Sequence, residues 1–117
     1  MLHLNRPLVF LDLEATGTDP QEARVIQIAL QRFVPTEEGA ALDEALDLLV
    51  DPKMAIPTEV TELTGIAPED VRGQPPFAEQ ADRLAPLLAD ADLAGYNAIA
   101  YDVPLLEAEF ERVGRTL

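Results

Sequence analysis

The sequence predicts a single α/β domain, and three observations lead there. The first half holds runs of β-forming residues at 8–17, 24–34 and 43–50, separated by turn signals. From residue 57 onward, apolar residues recur at helical spacing between prolines, interrupted by one short strand-like run at 93–95. The third observation is chemical: two carboxylates, Asp12 and Glu14, sit inside the first strand run, where a purely structural buried strand would carry more Val, Ile or Leu.

Composition bounds the rest. A chain of 117 residues with 48% hydrophobic content can bury one core, so a folded domain is expected rather than a disordered segment. There is no cysteine, which excludes a disulfide framework, a zinc–thiolate site and a thiol nucleophile. The early apolar run is short and broken by Asp12, too polar for a leader peptide or a membrane span. A cytoplasmic protein with no membrane attachment is the expectation. The 22 Asp and Glu against 8 Lys and Arg leave a net charge of −14. Proteins that grip long nucleic acid neutralise phosphates with a basic stripe, and none is visible here. Any nucleic-acid contact should therefore be short, with other chains supplying grip.

The elements follow in order. Along 8–17 side chains alternate, so Phe10, Asp12 and Glu14 share one face of the strand and Val9, Leu11 and Leu13 the other. Positions 12 and 14 are spaced roughly 6.5 to 7 Å along the backbone, close enough for their side chains to converge. A buried pair of like charges needs a compensating positive charge, and a hard divalent cation suits carboxylate oxygens; at a strand end both groups could instead reach water. Gly17 opens a turn. Residues 24–34 form a second strand, and 35–39 a hairpin connection with Glu37 and Glu38 at its tip. Residues 43–50 fit a helix or a strand; their position after the hairpin favours a third, antiparallel strand. Pro57 opens a helix over 58–63, stopped at Thr64-Gly65. Residues 68–71 make a helical turn. A longer helix follows Pro75-Pro76, with Phe77, Ala81, Leu84, Ala85 and Leu88 on one face and Pro86 as a kink or last turn. After the short strand, 96–101 reads as a loop, and Val103-Pro104 opens a final helix.

Two further residues carry chemistry. Asp102 precedes a helix with proline in its first turn, so it suits an N-cap. Asn97 suits a loop-stabilising amide.

At this point the chain resembles a family. The run Phe10-Leu11-Asp12-Leu13-Glu14-Ala15-Thr16-Gly17 is similar to the first motif of the DEDDh (DnaQ-like) 3′→5′ exonucleases. The segment from Ile56-Pro57 through Thr64-Gly65-Ile66 to Pro75-Pro76-Phe77 resembles the family's connecting helices. Tyr96-Asn97-Ala98, Tyr101-Asp102 and Leu105-Leu106 resemble its second motif, with Tyr96 where the family usually has histidine. The resemblance implies an RNase H-like mixed sheet, three antiparallel strands then a parallel one, with flanking helices. It implies Asp12, Glu14 and Asp102 as catalytic carboxylates holding two Mg²⁺ or Mn²⁺ ions, Asp12 bridging them. The backbone at Ala15 and Thr16 would meet the terminal nucleotide, Ile66 and Tyr101 would pack on its base or sugar, and Asn97 would join the substrate site. The implied substrate is the 3′ end of single-stranded DNA or RNA, and an implied partner is a DNA polymerase subunit.

One departure matters. The family's third motif, a histidine followed five positions later by an aspartate, has no counterpart after Asp102; the one histidine is His3. The expectation is a single, C-terminally incomplete exonuclease domain over 1–117, lacking its last strand and helix. Loss of the general base should cost roughly 10²- to 10⁴-fold in rate, leaving the chain nearly inactive. An open sheet edge would favour self-association. The competing expectation is a non-catalytic, exonuclease-like module docked on a polymerase or another nucleic-acid enzyme.

Overall fold

The computed structural model describes residues 4–117. Its frame is a four-stranded sheet in the order β3-β2-β1-β4. Strand β1 is Leu8–Ala15, β2 is Val25–Thr36 and β3 is Gly39–Leu49; β2 runs antiparallel to both of its neighbours. Strand β4, Asp92–Ala94, pairs parallel with β1 through Leu8, Val9 and Phe10. The expected mixed sheet is thus the observed one. A parallel neighbour requires a long crossover, and residues between β3 and β4 provide it as helices α1 (Thr58–Thr64), α2 (Pro68–Val71) and α3 (Phe77–Leu88). Helix α4 is Val103–Arg112. Among the described residues, no helix is long and apolar enough to cross a membrane.

Strand alternation decides which face of the sheet is covered. Val9, Leu11, Leu13 and Ala15 are buried against Phe77, Ala81, Leu84 and Leu88 of α3 and Leu105, Leu106 and Phe110 of α4. The Phe77 and Phe110 rings meet edge to face, 5.1 Å between centroids, so the two helices interlock over the sheet. A second cluster of Ile26, Ile56, Ile66 and Val71 lies under the crossover. It exists because of a bulge: Glu14 pairs with Gln27 but Ala15 with Val25, leaving Ile26 as the extra residue.

Several boundaries differ from expectation. Strand β3 begins at Gly39 rather than 43, so the hairpin tip is only Glu37-Glu38. Pro86 lies inside the last turn of α3, where it removes the N–H that would otherwise meet the Asp82 carbonyl. Residues 96–101 are no open loop. Ala98–Asp102 form a π-helical turn, with the Asp102 N–H donating to the Asn97 carbonyl at 3.2 Å and the Val103 N–H to Ala98. Such turns insert one residue into a helix and re-aim the side chains beside it.

Candidate active site

The first strand delivers its carboxylates as the alternation requires, with one correction. Asp12 is exposed and Glu14 only half-buried, on the face opposite the core. Of the two readings, a buried pair or a pair reaching water, Asp12 follows the second and Glu14 lies between them. Burial falls on the third carboxylate: Asp102 is only 4% exposed.

Two local features bring Asp102 to the strand. Gly95 ends β4 in contact with β1, and a Cβ there would overlap the Leu11 carbonyl oxygen, so only glycine lets the chain pass this close. The π-helical turn then carries the chain from Asn97 to Asp102 at the head of α4. Asp102 has helical backbone angles and its side chain makes no capping hydrogen bond. The N-cap role is thereby excluded.

The electrostatics tie the three groups together. Burial first, then the charges of Asp12 and Glu14, push the Asp102 carboxyl up to about 6. Glu14 is also raised, by burial and then by Asp12. Tyr101 is raised by burial and by Asp102 and Glu14. No Lys or Arg among the described residues forms an ion pair with Asp12, Glu14 or Asp102. An all-oxygen set of uncompensated carboxylates fits a hard divalent cation. Among the described residues, no three His, Cys, Asp or Glu side chains close around one point as a ready-made ion cage; mutual repulsion opposes such closure when no cation is present.

The other expected site residues divide. Tyr101 is half-buried and its hydroxyl donates to the Gly17 carbonyl, holding the turn after β1 against the π-helical turn. Asn97 is exposed and its backbone carbonyl, not its side chain, receives the amides of Tyr101 and Asp102. Thr16 is buried, its N–H donates to the Arg24 carbonyl and its hydroxyl accepts the Arg24 N–H, both at 2.9 Å, which fixes the backbone at the end of β1. Ala15 is likewise buried, its side chain in the main core. Ile66 lies in the second core cluster with Ile26, Ile56 and Val71, 7% exposed.

Sequence reasoning missed a buried latch. The Glu109 carboxylate, 3% exposed, accepts the Val25 N–H and the Arg112 guanidinium, both at 2.9 Å. Arg112 also donates to the Ala23 and Gln21 carbonyls. The loop between β1 and β2 is thus held by α4 at one end and by Tyr101 at the other. The signal was available: Glu109 stands on the apolar face of α4, between Leu105, Leu106 and Phe110. The open face of the sheet carries a groove of about 580 Å³ lined by Phe10, Asp12, Gln31, Ala45, Asp47 and Tyr96.

An Asp-x-Glu pair on the strand joining the antiparallel and parallel parts of a mixed sheet, with a third carboxylate at the head of the last helix, is the arrangement that the resemblance to the exonucleases implied. Comparison with known proteins agrees. The exonuclease family RNase_T matches residues 9–117, and the chain belongs to the DEDDh (DnaQ-like) 3′→5′ exonuclease family. It is 32% identical to the PolC-type DNA polymerase III of Clostridium perfringens over 93% of its own length and 7% of that protein. It is 33% identical to the DNA polymerase III subunit epsilon of Aquifex aeolicus, over 80% of the chain and 44% of the subunit. Bacillus subtilis 3′-5′ exonuclease DinG is 31% identical, over 91% of the chain and 11% of DinG. The chain therefore spans less than half the length of these relatives. Escherichia coli exonuclease I, solved with a dA16 oligonucleotide, has the same fold, with a TM-score of 0.80, 24% identity and coverage of 96% of this chain and 25% of that one.

Proposed function

We propose that this chain is the metal-binding part of a 3′→5′ exonuclease acting on the 3′ end of single-stranded nucleic acid, with Asp12, Glu14 and Asp102 holding two Mg²⁺ or Mn²⁺ ions. The observation that carries the reading is that three carboxylates from two separate elements come near enough for Asp12 and Glu14 to add to burial in raising Asp102, while no Lys or Arg among the described residues pairs with any of them. Bound divalent ions would supply charge stabilisation at a phosphoryl oxygen and an activated water. The chain's own part is positional. β1 fixes Asp12 and Glu14 on one face, Gly95 permits the close return, and the π-helical turn aims Asp102. Tyr101 ties the Gly17 turn in place, and the open groove beside Asp12 leaves space for the terminal nucleotide.

No histidine lies at residues 4–117, so no imidazole from this segment can take a proton from the attacking water. Slow hydrolysis is expected of these residues acting alone, by roughly 10²- to 10⁴-fold relative to a relative with its base. The polymerase III relatives make a replication enzyme the favoured partner. Binding is therefore the sharper test. Mn²⁺ at about a hundredfold its dissociation constant should stabilise the wild-type chain by about 2.7 kcal/mol, and Asp12→Asn should lose most of this. Equal stabilisation of both proteins in thermal unfolding would remove the proposed site.

A further inference from the structure

The few cations of this acidic chain are unevenly placed. Two shallow clefts, of about 250 and 300 Å³, adjoin across the 51–54 loop and share Asp51 and Lys53. Their walls carry Arg24 and Arg112 on one side and Arg72 on the other, so half of the chain's eight basic residues meet here. The only carboxylates lining either cleft are Asp51 and Glu109. Glu109 is already satisfied by Arg112 and the Val25 amide, and Arg112 is spent on it and on two backbone carbonyls. Arg24 and Arg72 make no ion pair among the described residues; Lys53 pairs with Asp51 at 3.5 Å, an exposed contact that holds its ammonium only weakly. Glu69 and Asp70, on the same short helix as Val71, line neither cleft.

This basic corner is joined to the candidate active site. Met54, which lines the second cleft, receives the Thr16 hydroxyl at its sulfur at 3.5 Å, and the Arg24 amide donates to that same hydroxyl. Thr16 lies two residues beyond Glu14. Through these bonds the 51–54 loop is tied to the turn that follows Glu14, so the cleft cations belong to the same corner of the fold as the carboxylate end of β1. We propose that Lys53, Arg72 and Arg24 form a subsite for backbone phosphates of the substrate strand, upstream of the nucleotide being removed. The inference rests on the exonuclease reading and adds where the strand leaves the site. It also explains how a chain of net charge −14 can hold a polyanion at all: attraction is local, and few phosphates are engaged.

The test is anisotropy of a 5′-labelled dT12 phosphorothioate, in Mn²⁺, across a salt series. Each phosphate contact on a single strand contributes roughly 0.7 to the slope of log affinity against log salt. The double variant Lys53→Ala/Arg72→Ala is expected to lower that slope by about 1.4, with little loss for a labelled trinucleotide, and Lys53→Arg/Arg72→Lys should keep it. Thermal melts of both variants check that the fold is retained. If dT12 binds in a Mn²⁺-dependent manner that Asp12→Asn abolishes, yet the slope is unchanged in the double variant, the subsite is wrong and the exonuclease reading survives. If dT12 shows no Mn²⁺-dependent binding, the exonuclease reading fails and the subsite falls with it.

Discussion

The segment from Asp102 to Arg112 buries two carboxylates, and they are treated in opposite ways. Glu109 is met by an arginine and a backbone amide, so its charge is fully answered within the fold. Asp102, 4% exposed, is paired with no Lys or Arg among the described residues, and burial, then the charges of Asp12 and Glu14, push it up to about 6. The same helix therefore carries one acid that holds the structure together and one that strains it. A group kept at an energetic disadvantage in the free protein, beside others of like charge, is what a site awaiting a positive ligand looks like.

The contrast predicts effects of opposite sign. Glu109→Ala should have the largest effect, destabilising the chain by about 3 kcal/mol, because it strands the Arg112 guanidinium and the Val25 amide; chemical denaturation measures this, and a change below 1 kcal/mol would mean the latch is ornamental. Asp102→Asn should do the reverse, stabilising the metal-free chain at neutral pH by about 2 kcal/mol while weakening Mn²⁺ binding. A destabilised Asp102→Asn protein would overturn the contrast.

The pH dependence follows from the same group. The folded chain keeps a proton on Asp102 up to about pH 6, whereas the unfolded chain releases it near 3.8. Between those values the native state binds more protons, so the contribution of Asp102 to stability falls as pH rises through the window and stays lost above it. Glu14, also raised, adds in the same direction. Melts of the metal-free protein from pH 4 to 7 should show this decline, reduced in Asp102→Asn. The smallest effect is expected of Tyr101→Phe, which removes the hydrogen bond to the Gly17 carbonyl and should cost about 1 kcal/mol. A larger loss of Mn²⁺ affinity than of stability would show that Tyr101 positions the turn beside Glu14 as well as bracing it.

Particular residues show how far the sequence could be read. The faces of β1 were legible because period-two alternation is local and admits one register relative to a buried core. The third strand was decided by its place after a hairpin, since its own pattern suited a helix equally. The burial of Ile66 was not legible because it packs on Ile26, the extra residue of a bulge forty residues earlier in the chain. The bonds of Thr16 were hidden for a similar reason: its N–H and hydroxyl meet the Arg24 backbone, across the turn. Glu109 was overlooked because an acid on a helix reads as solvated until its partner, 84 residues earlier in the chain, is known.

By itself the sequence determined the order of the elements, the α/β class and the presence of Asp12, Glu14 and Asp102 in motifs of the exonuclease family, since these rest on local periodicity and on short residue patterns. Only the tertiary structure decided which carboxylate is buried, which is neutralised and which is left facing its own kind. Charge compensation is a property of distances between remote segments, and a linear chain does not contain those distances until it folds.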